Sequence, residues 1–386
     1  MNYPARKRLF RITAIAGGIL VAALVLEALL WMAPELFPSQ VQQALQVGRV
    51  RTAVDSTIAD DPELVVKMRP NIDLLIEHPE RTWRMKTFLN YPEVGFRGNL
   101  TRLPVIGVAV GDSFTFGHSV NIEQTWTELL SGMLEKEIIN LGVGGYAPPQ
   151  YTRVLAGWGM PLNPKLVLYA IFQNDLDDSY CFTQSRDRDA YFACARQRRP
   201  PTAIERLFAS HFSLYHVFVG MPFTHDRQER AGATGGKLSL PLRDALNWND
   251  SERMLKGWQV AQEAILEAKR LTDQHHARLI ILLIPSKTQT YWHLLEEQAP
   301  PGLERQLNSM NDLVKQLCAE HGIQYLDLTP LFRRQAQQAA TGQLLYFRRD
   351  AHWNAEGHRL AAQTIYDYLV KNRLLDPVDG KPKEQR

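Results

Sequence analysis

Three cysteines in 386 residues are few, and no Cys-x-x-Cys, His-Glu-x-x-His or His-rich tract accompanies them. Zinc sites and dithiol redox centres need such spacings, so neither a metal nor a cofactor is expected. The loop after the first strongly apolar strand lacks Gly-x-Gly-x-x-Gly and Gly-x-x-x-x-Gly-Lys-Ser/Thr, the phosphate cradles of nucleotide binders. Charge of one sign is scarce too: 44 Lys and Arg against 41 Asp and Glu leave a formal +3. With no basic stripe interleaved by aromatics, nucleic acid is not an expected partner. At 45% hydrophobic and 22% charged residues, the composition suits a globular chain.

Long apolar runs are nearly absent as well. The exception runs from Ile12 to Ala33, behind Arg6, Lys7, Arg8 and Arg11. About 20 apolar residues cross a bilayer, and basic flanks stay cytoplasmic. The pattern predicts a single-pass inner-membrane anchor over residues 12–33, with the body of the chain on the periplasmic side. A cleaved signal peptide is the competing reading. The small-residue cleavage pattern is poor, since Pro34 follows Trp31-Met32-Ala33 and a leucine begins Leu26-Glu27-Ala28. Trp31 would mark the far interface. Glu27 breaks the run near its outer end, where it can snorkel, protonate or meet a partner. Cys181 and Cys194 flank one short polar segment. In an oxidising compartment they can close a loop worth about 3 kcal/mol; the alternative is two separate thiols. Cys318 falls in a helical pattern and reads as core. Asn99 and Asn249 open Asn-x-Ser/Thr triplets, which are common by chance.

Four regions follow. Residues 1–33 are the basic tail and anchor. Residues 34–102 read as a stalk or edge extension, with a polar helix near Gln40–Val54 and short extended pieces punctuated by Pro70, Pro79 and Pro92. Residues 103–375 alternate strands with helices, and residues 376–386 are a polar tail. Strands are predicted at Val105–Val110, Ile138–Val143, Leu166–Phe172, Arg278–Ile284 and Gln324–Leu328. Helices are predicted at Thr125–Lys136, around Met254, Trp258, Ala261 and Ile265, and from Asn354 to Val370. This alternation implies an α/β fold: a five-stranded parallel sheet with helices on both faces. An insertion at 178–250 breaks the rhythm and reads either as a lid over the site or as surface decoration.

Val105–Val110 runs into Gly111-Asp112-Ser113. A serine there sits where a buried parallel strand turns into a helix, the place where open α/β sheets bind ligands. Ser113 is thus a candidate nucleophile, with its own N–H aimed at a developing oxyanion. Gly142-Val143-Gly144-Gly145 follows the second strand, and Gly145 is a candidate oxyanion donor; a tight turn explains the same glycines. Asn174, after the third strand, is a second candidate donor or a helix cap. Near the C-terminus, Asp350-Ala351-His352 places two side chains on one side of an extended segment. His352 can act as general base and Asp350 can orient it. Asn354 reads as a helix cap and His358 as structural. Tyr146, Trp158, Trp292 and Trp353 are aromatic platform candidates, with core packing as their simpler role.

Taken together, Gly-Asp-Ser, the glycine after strand two, Gln173-Asn174-Asp175 and the late Asp/His pair resemble the SGNH hydrolase superfamily, the GDSL-like lipases and esterases. The resemblance covers roughly Pro104 to Tyr368. It implies a flavodoxin-like three-layer α/β/α sandwich, with Ser113, Gly145, Asn174 and His352 as the four block residues. Phe172-Gln173 precede Asn174 where the family has Gly-x-Asn-Asp, and one residue separates Asp350 from His352 where it has two. The Asp-x-His-Trp pattern resembles exported members that modify polysaccharides, including the alginate acetylation group. The resemblance implies a membrane-anchored serine esterase for acyl esters, with O-acetyl groups on an exported glycan as one substrate class. The alternatives are an O-acetyltransferase using the same residues and a non-catalytic binding protein on the same fold.

Overall fold

Strands that are apolar on both faces need cover on both faces, and this sets the centre of the molecule. In the computed structural model, Val105–Val110 (β1), Glu137–Asn140 (β2), Leu166–Ile171 (β3), Arg278–Leu283 (β4) and Gln324–Asp327 (β5) form one sheet ordered β5-β4-β3-β1-β2. Every pairing in it is parallel. The structure describes residues 3–78, 80–91, 94–98, 104–196, 202–218, 238, 240, 251–338 and 343–375. Leu166, Leu168 and Ala170 of β3 face a core shared with Trp126, Leu130, Ile365 and Leu369 from helices Trp126–Leu134 and Ala355–Lys371. The alternate residues Val167, Tyr169 and Ile171 are equally buried. Helix Ser251–Gln274 covers that side, where Ala264 O accepts from Thr152 and Tyr169 OH donates to Pro148 O at 2.8 Å. This is the flavodoxin-like sandwich, and the strand order reverses between β1 and β3.

The predicted strands recur with small shifts. β2 ends at Asn140, three residues earlier than its apolar run suggests. There the Asn140 side chain donates to Thr115 O at 2.6 Å and accepts from Gly142 N at 3.0 Å. They tie the strand end to the first turn after β1, while Leu141 N and Val143 N still donate to Ala109 O at 2.8 Å and Gly111 O at 3.1 Å.

The chain divides into two compact units, one of Met1–Ser56, Glu77–Pro79 and Pro201–Ala233, the other of Thr57–Ile76, Glu80–Pro200 and Thr234–Arg386. This partition differs from the boundaries expected at 34–102 and 178–250. Residues from Thr57 onward join the sheet unit because they hydrogen-bond into it. Ile58–Asp61 pairs antiparallel with Val65–Met68, and Phe88–Tyr91 with Val94–Phe96. Val66 O accepts from Tyr146 OH, and Leu64 O from Gln150, both at 2.7 Å. The insertion is likewise shared out: helix Arg188–Ala195 belongs to the sheet unit, and helix Ala203–His211 to the other. The tail 376–386, residues 219–237, and both Asn99 and Asn249 lie outside the described residues.

In the smaller unit, helix Tyr3–Met32 contains Phe10–Met32, with mean hydropathy 2.3 and none of its most apolar window buried. It is long and apolar enough to cross a membrane. A second helix, Ser39–Ser56, follows the turn at Pro34.

Cys181 and Cys194 form a disulfide, and Cys318 is a buried free thiol. The bond ties helix Asp175–Gln184 to helix Arg188–Ala195, and the Arg253 guanidinium braces it through Cys194 O at 3.0 Å. Closing so short a loop restricts the unfolded chain, so reduction is expected to cost about 3 kcal/mol of stability. Denaturant unfolding with and without reductant checks this, with a Cys181→Ser/Cys194→Ser variant insensitive to reductant as the control.

Candidate active site

The turn after β1 is built by its own side chains. Asp112 caps the short helix Ser113–Phe116, accepting from Phe114 N at 2.8 Å. The first N–H groups of a helix lack intrahelical partners, and Ser113 opens this one. Arg97, 1% exposed, closes the other end by donating to Phe116 O at 3.2 Å, Gly117 O at 2.5 Å and Val120 O at 3.0 Å. Burial lowers the Arg97 pKa to about 10, so it remains a cation at neutral pH.

The last loop delivers the imidazole. His352 Nε2 lies 2.8 Å from Ser113 Oγ. His352 Nδ1 lies 2.5 Å from Asp350 Oδ1, which also accepts from His352 N at 2.9 Å. The shorter Asp-x-His spacing therefore still permits a carboxylate–imidazole–hydroxyl chain, with the backbone N–H of the same histidine taking part. Asp350 Oδ2 accepts from Arg81 Nη2 at 2.6 Å. Burial pushes the Asp350 pKa up, but the His352 ring beside it, its hydrogen bond and the Arg81 cation outweigh burial and hold it well below the usual carboxylate range. Asp350 is thus ionised at neutral pH, which fixes the His352 tautomer with its proton on Nδ1 and its lone pair toward Ser113.

Phe114 packs on the His352 ring at 5.1 Å and on Trp353 at 5.1 Å. His118 lies against His352 at 4.7 Å, and burial drives its pKa down to about 3, so it stays neutral. Ligand-capable atoms of His118, Asp350 and His352 all lie within 4.8 Å of one another. Asp350 and His352 already bond each other, while His118 meets His352 ring to ring.

Beneath the serine lies a buried acidic layer. Burial raises the Asp112 pKa to about 6. Asp175, fully buried, is raised well above its ordinary value by burial and by Asp112 nearby. Asp175 is anchored by Tyr151 OH at 2.7 Å and Phe172 N at 3.0 Å.

The two candidate donors are held differently. Gly145 has φ +80°, the left-handed region that favours glycine, and a Cβ there would meet Phe192 at 2.9 Å. Its carbonyl accepts from Tyr191 OH at 2.7 Å, which pins the loop to helix Arg188–Ala195. The neighbouring Gly144 backs onto Ser113, with 3.8 Å between a Cβ built there and the serine Cβ. Asn174 directs one amide N–H to Asp178 at 2.5 Å, which leaves the second N–H of the amide to donate. Asn354 caps the final helix through Glu356 N and Gly357 N, and His358 is 1% exposed, accepting from Trp126 N at 3.3 Å. Tyr146, Trp292 and Trp353 are buried, while Trp158 is half-buried against Phe96.

Several residues at this site were not legible as site residues. Arg81 stacks on Phe347 at 4.1 Å and on Trp83 at 5.1 Å, and it also bonds Ser119. Lys287, 1% exposed, donates to Phe347 O at 2.7 Å, Arg348 O at 2.8 Å and Asp350 O at 3.2 Å, fixing the loop that carries the acid. The available signal for Arg81 is register. In Arg81–Lys86 it shares a face with Trp83 and Met85, and a cation on the apolar face of a strand needs a buried partner.

Arg81→Gln is expected to lower kcat about 10- to 100-fold with KM nearly unchanged, the worth of one hydrogen bond to a charged group. Steady-state ester hydrolysis reads this. Because the folded pKa of Asp350 is depressed, the ionised form adds stability above the unfolded value of about 3.9. That stability is lost as pH falls through the folded value. Removing Arg81 raises the folded value, so acid unfolding followed by circular dichroism should begin at higher pH in the variant.

Among solved structures, the acetyl xylan esterase AlAXEase is 14% identical, covering 68% of this chain and 100% of that one at TM-score 0.39. An acetylxylan esterase from Geobacillus stearothermophilus, solved as a catalytic mutant, is 13% identical, covering 73% and 100% at TM-score 0.37. A Pseudomonas putida protein named probable alginate O-acetylase AlgJ is 26% identical over 166 residues, 42% of this chain. The chain spans only 40% of the length of that relative. The model of the GDSL-like lipase/acylhydrolase family, enzymes that cleave ester bonds, matches residues 109–360, well over half of the chain, and the chain belongs to that family.

Proposed function

We propose that this chain is a serine esterase that forms an acyl-enzyme on Ser113, is anchored in the inner membrane through residues 12–33 and works on the periplasmic side. The observation that carries the reading is the 2.8 Å contact between His352 Nε2 and Ser113 Oγ, backed by ionised Asp350. His352 takes the serine proton as Oγ attacks the ester carbonyl. The same imidazolium then returns the proton to the leaving alcohol. Negative charge on the carbonyl oxygen is met by the N–H groups of Ser113 and Gly145 and by the Asn174 amide, oriented through Asp178. Water, activated by His352, releases the acid and restores the serine.

The substrate class is an acyl ester, with O-acetyl groups on an exported glycan as the best-supported member. The similarity to a protein named as an alginate O-acetylase supports that choice. It also favours a second reading, in which the acyl group passes to a sugar hydroxyl instead of water. Both readings use the same serine, histidine and oxyanion donors.

Ser113→Ala is expected to abolish turnover of p-nitrophenyl acetate and of an acetylated polysaccharide. Asn174→Ala should lower kcat about 10²- to 10³-fold, the usual loss for one oxyanion donor. Equal rates in wild type and Ser113→Ala would remove Ser113 from the reaction. Acetylated oligosaccharide product, seen by mass spectrometry when an unacetylated acceptor is added, would favour transfer over hydrolysis.

A further inference from the structure

Within the smaller unit, the one acidic residue of the apolar helix has a structural partner. Both carboxylate oxygens of Glu27 accept backbone N–H groups, from Ser213 and from Leu214, the latter at 2.9 Å. These residues open a helical stretch at 213–218. The same stretch is fixed to helix Ser39–Ser56: His216 Nδ1 lies 3.4 Å from Thr52 Oγ1, and its backbone sits where a Cβ on Gly48 would be. The stretch at 213–218 is therefore docked on the apolar helix at Glu27, and helix Ala203–His211 leads directly into it. Glu27 precedes Met32 by five residues, which is about 7.5 Å at 1.5 Å per residue. Interfacial helices bury their apolar face about 5–10 Å into the headgroup boundary.

The docked segment has the matching chemistry. Helix Ala203–His211 starts with a Thr202–Glu205 capping box. It then presents Ile204, Leu207 and Phe208 at i, i+3 and i+4, exposed by 67%, 56% and 42%. Phe218 is 82% exposed. Helix Ala203–His211 thus carries an exposed apolar stripe, Phe218 adds an exposed aromatic four residues past the Leu214 bond to Glu27, and Trp31 and Met32 at the end of the span are exposed as well. In the sheet unit, exposed large apolar residues such as Leu75, Leu255 and Val370 come from three separate elements, the ordinary condition of a soluble surface. The smaller unit instead gathers them on segments tied to one helix.

We infer that segment 203–218 is a membrane-surface element: Ile204, Leu207, Phe208 and Phe218 insert into the lipid interface on the outer side of the bilayer that Phe10–Met32 crosses. This rests on the membrane-spanning reading above. Continuity with the apolar span through the Glu27 bonds selects a lipid surface over a second copy of the chain. It also gives Glu27 a role. A carboxylate near the hydrocarbon edge is costly alone, but here it satisfies two N–H groups that the same edge would otherwise strand.

The test uses the full chain reconstituted into phosphatidylethanolamine/phosphatidylglycerol vesicles. The fluorophore NBD is attached at Phe208→Cys, Phe218→Cys or, as a span control, Leu20→Cys, each variant first shown to keep wild-type ester turnover. Probes at 208 and 218 should shift to the blue and lose most of their emission to lipid carrying a nitroxide high on the acyl chain. They should lose less to a nitroxide at the chain end, with the reverse order at Leu20. Adding Glu27→Leu to Phe208→Cys should reverse the blue shift. Water-exposed, unquenched probes at 208 and 218 with a quenched probe at 20 would overturn the inference and leave the anchor intact. No quenching at any position would overturn the spanning reading itself. Probes shielded from water but insensitive to nitroxide lipid would mean a protein partner covers the stripe, and would also overturn the inference.

Discussion

The carboxylate of Asp350 is the point on which the site depends. It accepts from Arg81, from the His352 backbone and from the His352 ring. A part-buried anion bonded on both oxygens cannot rotate without leaving a donor unpaired, so the ring it holds has one orientation. That orientation aims a lone pair at Ser113. The loop carrying the acid is in turn held by the Lys287 ammonium. Two cations thus act on one short segment, one on the side chain and one on the backbone.

The parallel sheet was legible because β1, β3 and β4 are nearly continuous apolar runs, as strands covered on both faces must be. The turns were legible because Gly111-Asp112-Ser113 and Gly144-Gly145 use residues whose backbone or capping chemistry suits few other places. What stayed hidden was long-range and polar. Nothing local to Arg81 names Asp350, 269 residues away. The grouping of Ile58–Met68 with the sheet was hidden for a similar reason: its strands are short, and its own backbone carbonyls accept from the Tyr146 hydroxyl and the Gln150 amide. Glu27 stood out as an oddity in the sequence, but its acceptors' partners lie on a segment 186 residues further on.

The region before β1 works as scaffolding for the site rather than as a spacer. Arg97 satisfies the carbonyls that end the serine's short helix, and Arg81 holds the acid. Both precede the stretch matched by the family model, which begins at residue 109. A family domain cut to its matched limits would keep the motif residues and lose two of the groups that orient them.

The disulfide joins the helix that begins beside Asn174 to the helix whose Tyr191 and Phe192 press on Gly145. It therefore staples the two oxyanion candidates to one another at second hand. Cytosolic thiols are kept reduced and exported ones are oxidised. In a reducing compartment the two helices would lack this covalent tie, and oxidation would add it, so redox state sets how firmly both candidates are held.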